Sequence, residues 1–311
     1  MKVKNLFIVM LTTASVLLAC TQKEELFEPS LPEDEIEEEE IVPEEGFSYV
    51  FKIASEDTKS IFGDNHIVWE DGDLIASYAS TSKNKSTEVE VDGSNVTMTI
   101  RSTVALSAGD MVYAYAPYNK VNNEAEATAV TLEIPRNQIS GSASAMPLVA
   151  LPFELTGDVE KYTDTEVGTL QFLNLGSIVK LNIYKSSGFA AGEKIENVTF
   201  QAGAACAGLF TYNLTTVNAD NPAAISGYAE TDVVVSGDGA NPITVGSDKA
   251  HGGVFYMVVA PGTYGGTFVI RTSAGDYTYD STSNLREYKR ASLKPLNIDL
   301  SSANWTPVMG G

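Results

Sequence analysis

Cysteine and histidine are nearly absent from this chain. Its 311 residues hold two of each: Cys20 and Cys206, His66 and His251. No zinc-type Cys/His cluster can be composed from so few ligands. A Ser/His/Asp triad lacks its context too, because no Gly-x-Ser-x-Gly elbow stands before a helix. No Gly-rich phosphate-cradling loop opens a helix, and no segment keeps the 3.6-residue apolar period of a long amphipathic helix. Basic residues are scarce, with 20 Lys and Arg against 41 Asp and Glu and a net charge of -21. An acidic surface without a basic cluster repels polyanions, so nucleic acid is not an expected partner. Arginine is missing altogether before Arg101. Together these absences argue against an enzyme, and no cofactor or metal is expected.

The N-terminus carries a strong signal. Lys2 and Lys4 precede an uncharged, largely apolar stretch from Leu6 to Leu18, which runs into Leu17-Leu18-Ala19-Cys20. The stretch is about 13 residues long, whereas a membrane-crossing helix needs about 20. A basic start, an apolar core and a small residue before cysteine read as a lipoprotein signal peptide over residues 1–19. Cleavage would leave Cys20 as the acylated first residue and a lipid foot in the outer membrane. The alternative is an ordinary secretory signal in which Cys20 is incidental. With Cys20 acylated, Cys206 has no disulfide partner in the chain and reads as a small buried residue.

Residues 20–46 follow as an acidic tether. From Glu24 to Glu45 there are twelve carboxylates and no basic residue, broken by Pro29, Pro32 and Pro43. Such a run cannot bury apolar surface, and its like charges extend it. Lys23-Glu24-Glu25, just after the lipid site, resembles the acidic export tag of surface lipoproteins in Bacteroidetes. That resemblance implies the outer face of the outer membrane.

The remaining residues read as β throughout. Phe47, Tyr49, Phe51 and Ile53 alternate with mostly polar neighbours, the period of a half-buried strand. Residues 88–91 and 96–100 alternate on either side of Asp92-Gly93-Ser94-Asn95, which predicts a hairpin. Further strands are expected at 111–116, 130–134, 169–172, 178–184, 195–200, 209–212, 232–235, 254–260, 267–271, 277–279 and 296–300. Residues 141–155 read as a loop of small residues and proline. The fold class expected from many short strands is β-sandwich. A polar region near 157–190 suggests a boundary, giving an N-terminal sandwich at 47–163 and a C-terminal one at 164–311.

Two features invite functional readings. Trp69-Glu70-Asp71-Gly72-Asp73 gathers three carboxylates, but its spacing does not fit an EF-hand loop, and Asp-Gly between apolar runs is first a turn. Tyr113, Tyr115 and Tyr118, or Tyr277, Tyr279 and Tyr288, would form a sugar platform if exposed. At alternating strand positions they are more often packing residues.

Ordered landmarks then carry a family resemblance. Val68-Trp69-Glu70-Asp71-Gly72-Asp73-Leu74-Ile75 resembles a Trp-x-x-Gly-Asp-x-Ile turn, and Tyr113 to Tyr118 a Tyr-rich strand ending in proline. Leu132 to Gln138 followed by Ala145-Met146-Pro147-Leu148 is similar to a Pro-x-x-Gln and Met passage. Gly168 to Phe172, Ile178 to Ile183 and Leu293 to Leu300 complete the order. These landmarks resemble the fimbrillin-like lipoproteins of Bacteroidetes, which include type V pilins and their anchor and accessory subunits. The resemblance implies two tandem transthyretin-like β-sandwich domains, lipoprotein export, and a role in fimbriae or adhesion. Its implied partners are other pilin subunits through strand exchange, and a host or bacterial surface glycan or protein.

In that family's stalk subunits, a protease cuts after an Arg and strips the first strand, and the open groove receives a strand from the next subunit. The physics is β-augmentation. Here no Arg lies between Cys20 and Arg101, and only Ser301 to Gly311 follow the expected last strand. The expectation is therefore an anchor, tip or accessory subunit, with a glycan-binding lipoprotein for nutrient capture as the alternative. Asp280-Ser281-Thr282 also resembles a Bacteroidetes O-glycosylation sequon, which would make Ser281 the modified residue.

Overall fold

A computed structural model describes residues 47–55, 69–79, 82–102, 104–122, 125–158, 166–219, 225–237, 243 and 245–307. Strands account for nearly all regular structure in them, and the helical pieces are single 3₁₀ turns. The residues from Glu44 onward belong to one compact unit.

The first half contributes strands β1 (Phe47–Ser55), β2 (Leu74–Ala79), β3 (Ser82–Asp92), β4 (Asn95–Ser102), β5 (Met111–Ala116), β6 (Val130–Ile134), β7 (Asn137–Ile139), β8 (Leu148–Ala150), β9 (Phe153–Glu154) and β10 (Glu166–Asn174). Eight of them form one sheet in the order β2-β3-β4-β1-β10-β8-β5-β9. Because β2 pairs with β5 as well as with β3, the sheet closes on itself. Closure removes the exposed backbone edge that open sheets present. The predicted hairpin is β3-β4, with Asp92 opposite Asn95. Gly93 sits there at φ +62°, a conformation glycine adopts without steric cost.

The second half contributes β11 (Ser177–Tyr184), β12 (Ile195–Ala202), β13 (Gly208–Tyr212), β14 (Asp232–Ser236), β15 (Gly253–Val259), β16 (Gly262–Thr272), β17 (Gly275–Tyr288), β18 (Leu293–Asp299) and β19 (Asn304–Pro307). A three-stranded sheet, β15-β11-β18, accompanies a six-stranded sheet, β19-β17-β16-β12-β14-β7. The halves interleave: β7 joins the second sheet through β14, and β6 pairs with β13. The expected boundary at 163/164 falls just before β10, which pairs inside the first sheet. The buried side chains form one continuous core across both halves.

Gln138 explains how the two sheets of the second half are joined on one side. Its side-chain Nε2 donates to the Val258 and Pro135 carbonyls, both at 2.8 Å, and its Oε1 accepts the Val258 N–H at 2.8 Å. Ser140 Oγ accepts the Tyr256 N–H at 3.0 Å. A side-chain amide thus imitates a strand and ties the edge of β15 to the β7 edge of the other sheet. On the opposite side β18 and β19 are the outermost strands of their sheets, with no further strand paired to either among the described residues, and the chain crosses between them through a 3₁₀ turn at Leu300–Ser302. Pro295 lies on the outer strand β18, and a proline there removes a donor from an edge open to strand pairing.

Candidate functional site

Cys20, Lys23, Glu24 and Glu25 lie outside the described residues. The functional candidate they leave is the place of β1. It is held on both sides, antiparallel to β4 from Phe47↔Ser102 to Lys52↔Thr97 and parallel to β10 from Val50↔Glu166 to Ser55↔Phe172. Tyr49 and Phe51 are fully buried and Ile53 nearly so, as the alternation predicts. Phe51 meets Phe153 edge-on at 5.4 Å, and the Tyr49 hydroxyl accepts the Leu106 N–H at 2.6 Å. Gly168 of β10 is bare because a Cβ there would collide with the Phe153 ring. Withdrawing β1 would therefore open a central slot with two unpaired ladders and three apolar pockets. Lys52, the one basic residue of β1, faces solvent and pairs with Glu166 at 2.9 Å.

Three of the sequence landmarks meet next to this slot. The Trp69 ring packs edge-on against Phe172 at 5.4 Å. Trp69, Asp73, Leu74, Ala116, Pro117, Ser144, Met146 and Leu148 border a small half-open cleft. The acidic residues above it are occupied as a turn. Asp73 Oδ2 accepts the Glu70 N–H at 2.9 Å, Asp71 Oδ1 accepts the Val91 N–H at 3.2 Å, and Gly72 stands at φ +89°. Carboxylates engaged by backbone amides match the turn reading. Among the described residues no group of three or more His, Cys, Asp or Glu is placed to hold a metal ion.

The two tyrosine triplets are packing residues. Tyr115, Tyr277 and Tyr288 are buried, and Tyr113, Tyr118 and Tyr279 are only partly exposed. Tyr115 is anchored by Asn122, whose Nδ2 donates to its hydroxyl at 2.8 Å and to the Thr131 carbonyl at 2.7 Å. Neither triplet forms an open platform. Cys206 is fully buried, and burial, reinforced by the nearby Asp232 charge, pushes its thiol up to about 12. A thiol so hard to ionise is a poor nucleophile.

Ser281 is 5 % exposed. It faces Gly266 across the ladder, just before a bulge in which the register jumps from Gly266↔Ser281 to Tyr264↔Arg286. Asp280 Oδ1 accepts the Thr282 N–H at 2.8 Å and its hydroxyl at 2.7 Å, fixing the start of that bulge. A glycan could reach the Ser281 hydroxyl only if β17 opened locally.

Two features escaped the sequence reading. Beyond the expected last strand, Asn304–Pro307 form a further strand, β19. Near it lies a polar network in which Glu193 Oε1 accepts from Thr272 Oγ1 at 2.8 Å and from the Tyr277 hydroxyl at 3.0 Å. Lys185 Nζ donates to the same hydroxyl at 2.9 Å. Burial acts to raise the Glu193 carboxyl. The Ala190 amide, these two hydroxyls and the Lys185 charge outweigh it and hold the group below its usual range. A carboxylate 79 and 84 residues from the two hydroxyls that donate to it leaves no local signal.

No protein-family model matches the sequence, and no curated protein matches it. Solved structures do. A candidate cell adhesion protein from Bacteroides ovatus superposes with a TM-score of 0.50 and 12% identity, covering 85% of this chain and 95% of that one. A candidate cell adhesion protein from Bacteroides uniformis gives 0.46 and 14%, over 83% and 95%. A fimbrial assembly protein from Parabacteroides distasonis gives 0.39 and 10%, over 84% and 94%. At 12% identity the first of these establishes a shared fold, in structures from the bacterial group that the landmarks suggested.

Proposed function

We propose that this chain is a cell-surface lipoprotein of the fimbrillin-like type, a structural or adhesive subunit without catalysis. Cys20 fixes it to the outer membrane, and the acidic tether presents the folded residues outward. Within fimbriae it serves as an anchor, tip or accessory subunit and not as the repeating stalk. The observation that carries this reading is the seating of β1. A stalk subunit has to lose its first strand, yet here β1 is laddered on both sides and no Arg precedes it. The shared fold with candidate adhesion proteins supports the broader role, and the Lys23-Glu24-Glu25 tag supports the outward face.

Whole-cell protease accessibility tests the address. Glu24→Ala with Glu25→Ala is expected to abolish cleavage of the surface protein while total protein stays constant. Unchanged accessibility would refute the export reading. Affinity capture from the same cells tests the role: pilin subunits should co-purify, and their absence from the captured material would count against fimbrial membership.

A further inference from the structure

The closed sheet of the first half ends in the small cleft that Trp69 and Met146 border. Leu74 opens β2 there, Ala116 closes β5 and Leu148 opens β8. Asn174 closes β10 at the same end. It lies opposite Leu148, and Leu148 lies opposite Ala116. Residues directly opposite in a ladder share a sheet face, so the Asn174 side chain leaves the face that lines the cleft. Phe172, two residues earlier on that face, packs against Trp69 in the cleft wall.

Asn174 is fully buried, yet among the described residues neither its Nδ2 nor its Oδ1 has a hydrogen-bond partner. A buried amide in that state costs stability until something satisfies it. The same molecule shows twice what a buried carboxamide can engage. Gln138 takes both the N–H and the carbonyl of Val258, each at 2.8 Å. Asn122 takes both from Thr131, each at 2.7 Å. In each case one side chain reads one residue of an extended strand with a donor and an acceptor. Asn174 is a third such group, with both atoms unused.

The cleft beside it sets the rest of the specificity. Trp69, Leu74, Pro117 and Met146 give it an apolar lining, and Asp73 also borders it. Glu70 and Asp71 are exposed on the same turn. Such a space suits an aliphatic side chain with a basic neighbour. The chain's own acidic tether, with twelve carboxylates from Glu24 to Glu45, is repelled from it.

We propose that this cleft docks an extended peptide segment of a partner protein. An aliphatic side chain fills the space bordered by Trp69, Leu74 and Pro117, a flanking Lys or Arg lies towards Asp73, and Asn174 holds one backbone N–H and carbonyl. Strand exchange would need the place of β1, whereas this docking leaves β1 seated. It does not rest on fimbrial membership.

The chain has two tryptophans, so Trp305→Phe leaves the indole of the cleft wall as the reporter. The full chain carrying that change would be titrated with terminally blocked pentapeptides: Lys-Thr-Leu-Thr-Lys, Glu-Thr-Leu-Thr-Glu and Lys-Thr-Gly-Thr-Lys. The first should give a saturable shift with a dissociation constant on the order of 0.1–1 mM. The other two should bind roughly tenfold more weakly or worse, and salt should narrow the gap for the acidic one. Ser144 is exposed at the cleft border, and Ser144→Phe should plug the cleft and abolish binding. Asn174→Val should weaken binding roughly tenfold while the denaturant midpoint stays level or rises, because it removes an unsatisfied amide. A clear loss of stability in that variant would show that the fold itself satisfies the amide and would overturn the proposal. So would no saturable shift with the first peptide, equal binding of all three, or full binding by Ser144→Phe. Self-association of the chain that Ser144→Phe abolishes would assign the cleft to a second copy and overturn it as well.

Discussion

The two halves of this molecule use the same strand arrangement to opposite ends. In each, the first strand lies between an antiparallel neighbour and a parallel one: β1 between β4 and β10, β11 between β15 and β18. In the first half, β10 is covered in turn by β8, and the ring closes through β2 and β5. In the second half, β18 has no strand on its outer side among the described residues, and one flank is sutured by Gln138 while the other keeps that edge unpaired. A closed ladder protects a chain from unwanted strand pairing. An open flank blunted by Pro295 offers side chains in place of backbone. On the proposed function, the closed half would be the permanent one and the open half the one free to meet a partner.

Breaking the closed half should cost most. Phe51→Ala empties a fully buried site in a strand laddered on both sides, and should lower stability by about 3–5 kcal/mol in denaturant unfolding. A loss below about 1 kcal/mol would show that β1 is loosely held and would undo the contrast. Gln138→Leu leaves the Val258 N–H and carbonyl buried and unpaired, for an expected loss of about 2–4 kcal/mol. If that variant were neutral, the sutured flank would be no firmer than the open one.

Smaller effects probe the open flank. Because the Glu193 carboxyl is held below its unfolded value, its contribution is complete above the unfolded pKa and is lost as pH falls through the folded one. Glu193→Gln should therefore flatten part of the acid limb of a stability-against-pH curve and change little near neutral pH. An identical acid limb in the variant would contradict the network. Smallest of all, and on the sutured side, is Arg136→Ala. It removes an exposed pair with Asp232, Nη2 to Oδ2 at 2.6 Å, and should leave the denaturant midpoint essentially unchanged, since exposed ion pairs are screened by water and salt.

The sequence disclosed the fold wherever one face of a strand meets water. The alternation of β1, the Asp92–Asn95 hairpin and the long strands β11, β12 and β16 follow from side chains that change sides every residue. It failed where both faces are buried or both exposed. β2 is buried from Ile75 to Ala79 and shows no alternation. β8 is three buried residues inside what reads as a loop. β19 is exposed along its length, so only pairing with β17 marks it as a strand. The landmarks of the resemblance proved structural: Trp69 and Met146 border one cleft, and Gln138 ties two sheets. The Lys185–Tyr277–Glu193 network was invisible, since Tyr277 of β17 lies far in sequence from the β11–β12 loop that carries Lys185 and Glu193.

The account stands most directly on what happens to β1 at the cell surface. Intact mass and N-terminal analysis of the protein taken from whole cells of the native host would read it. The predicted product begins at an acylated Cys20 and retains residues 47–55. A surface form beginning beyond Ser55, found in assembled fibres, would contradict permanent attachment and make this chain a polymerising stalk subunit.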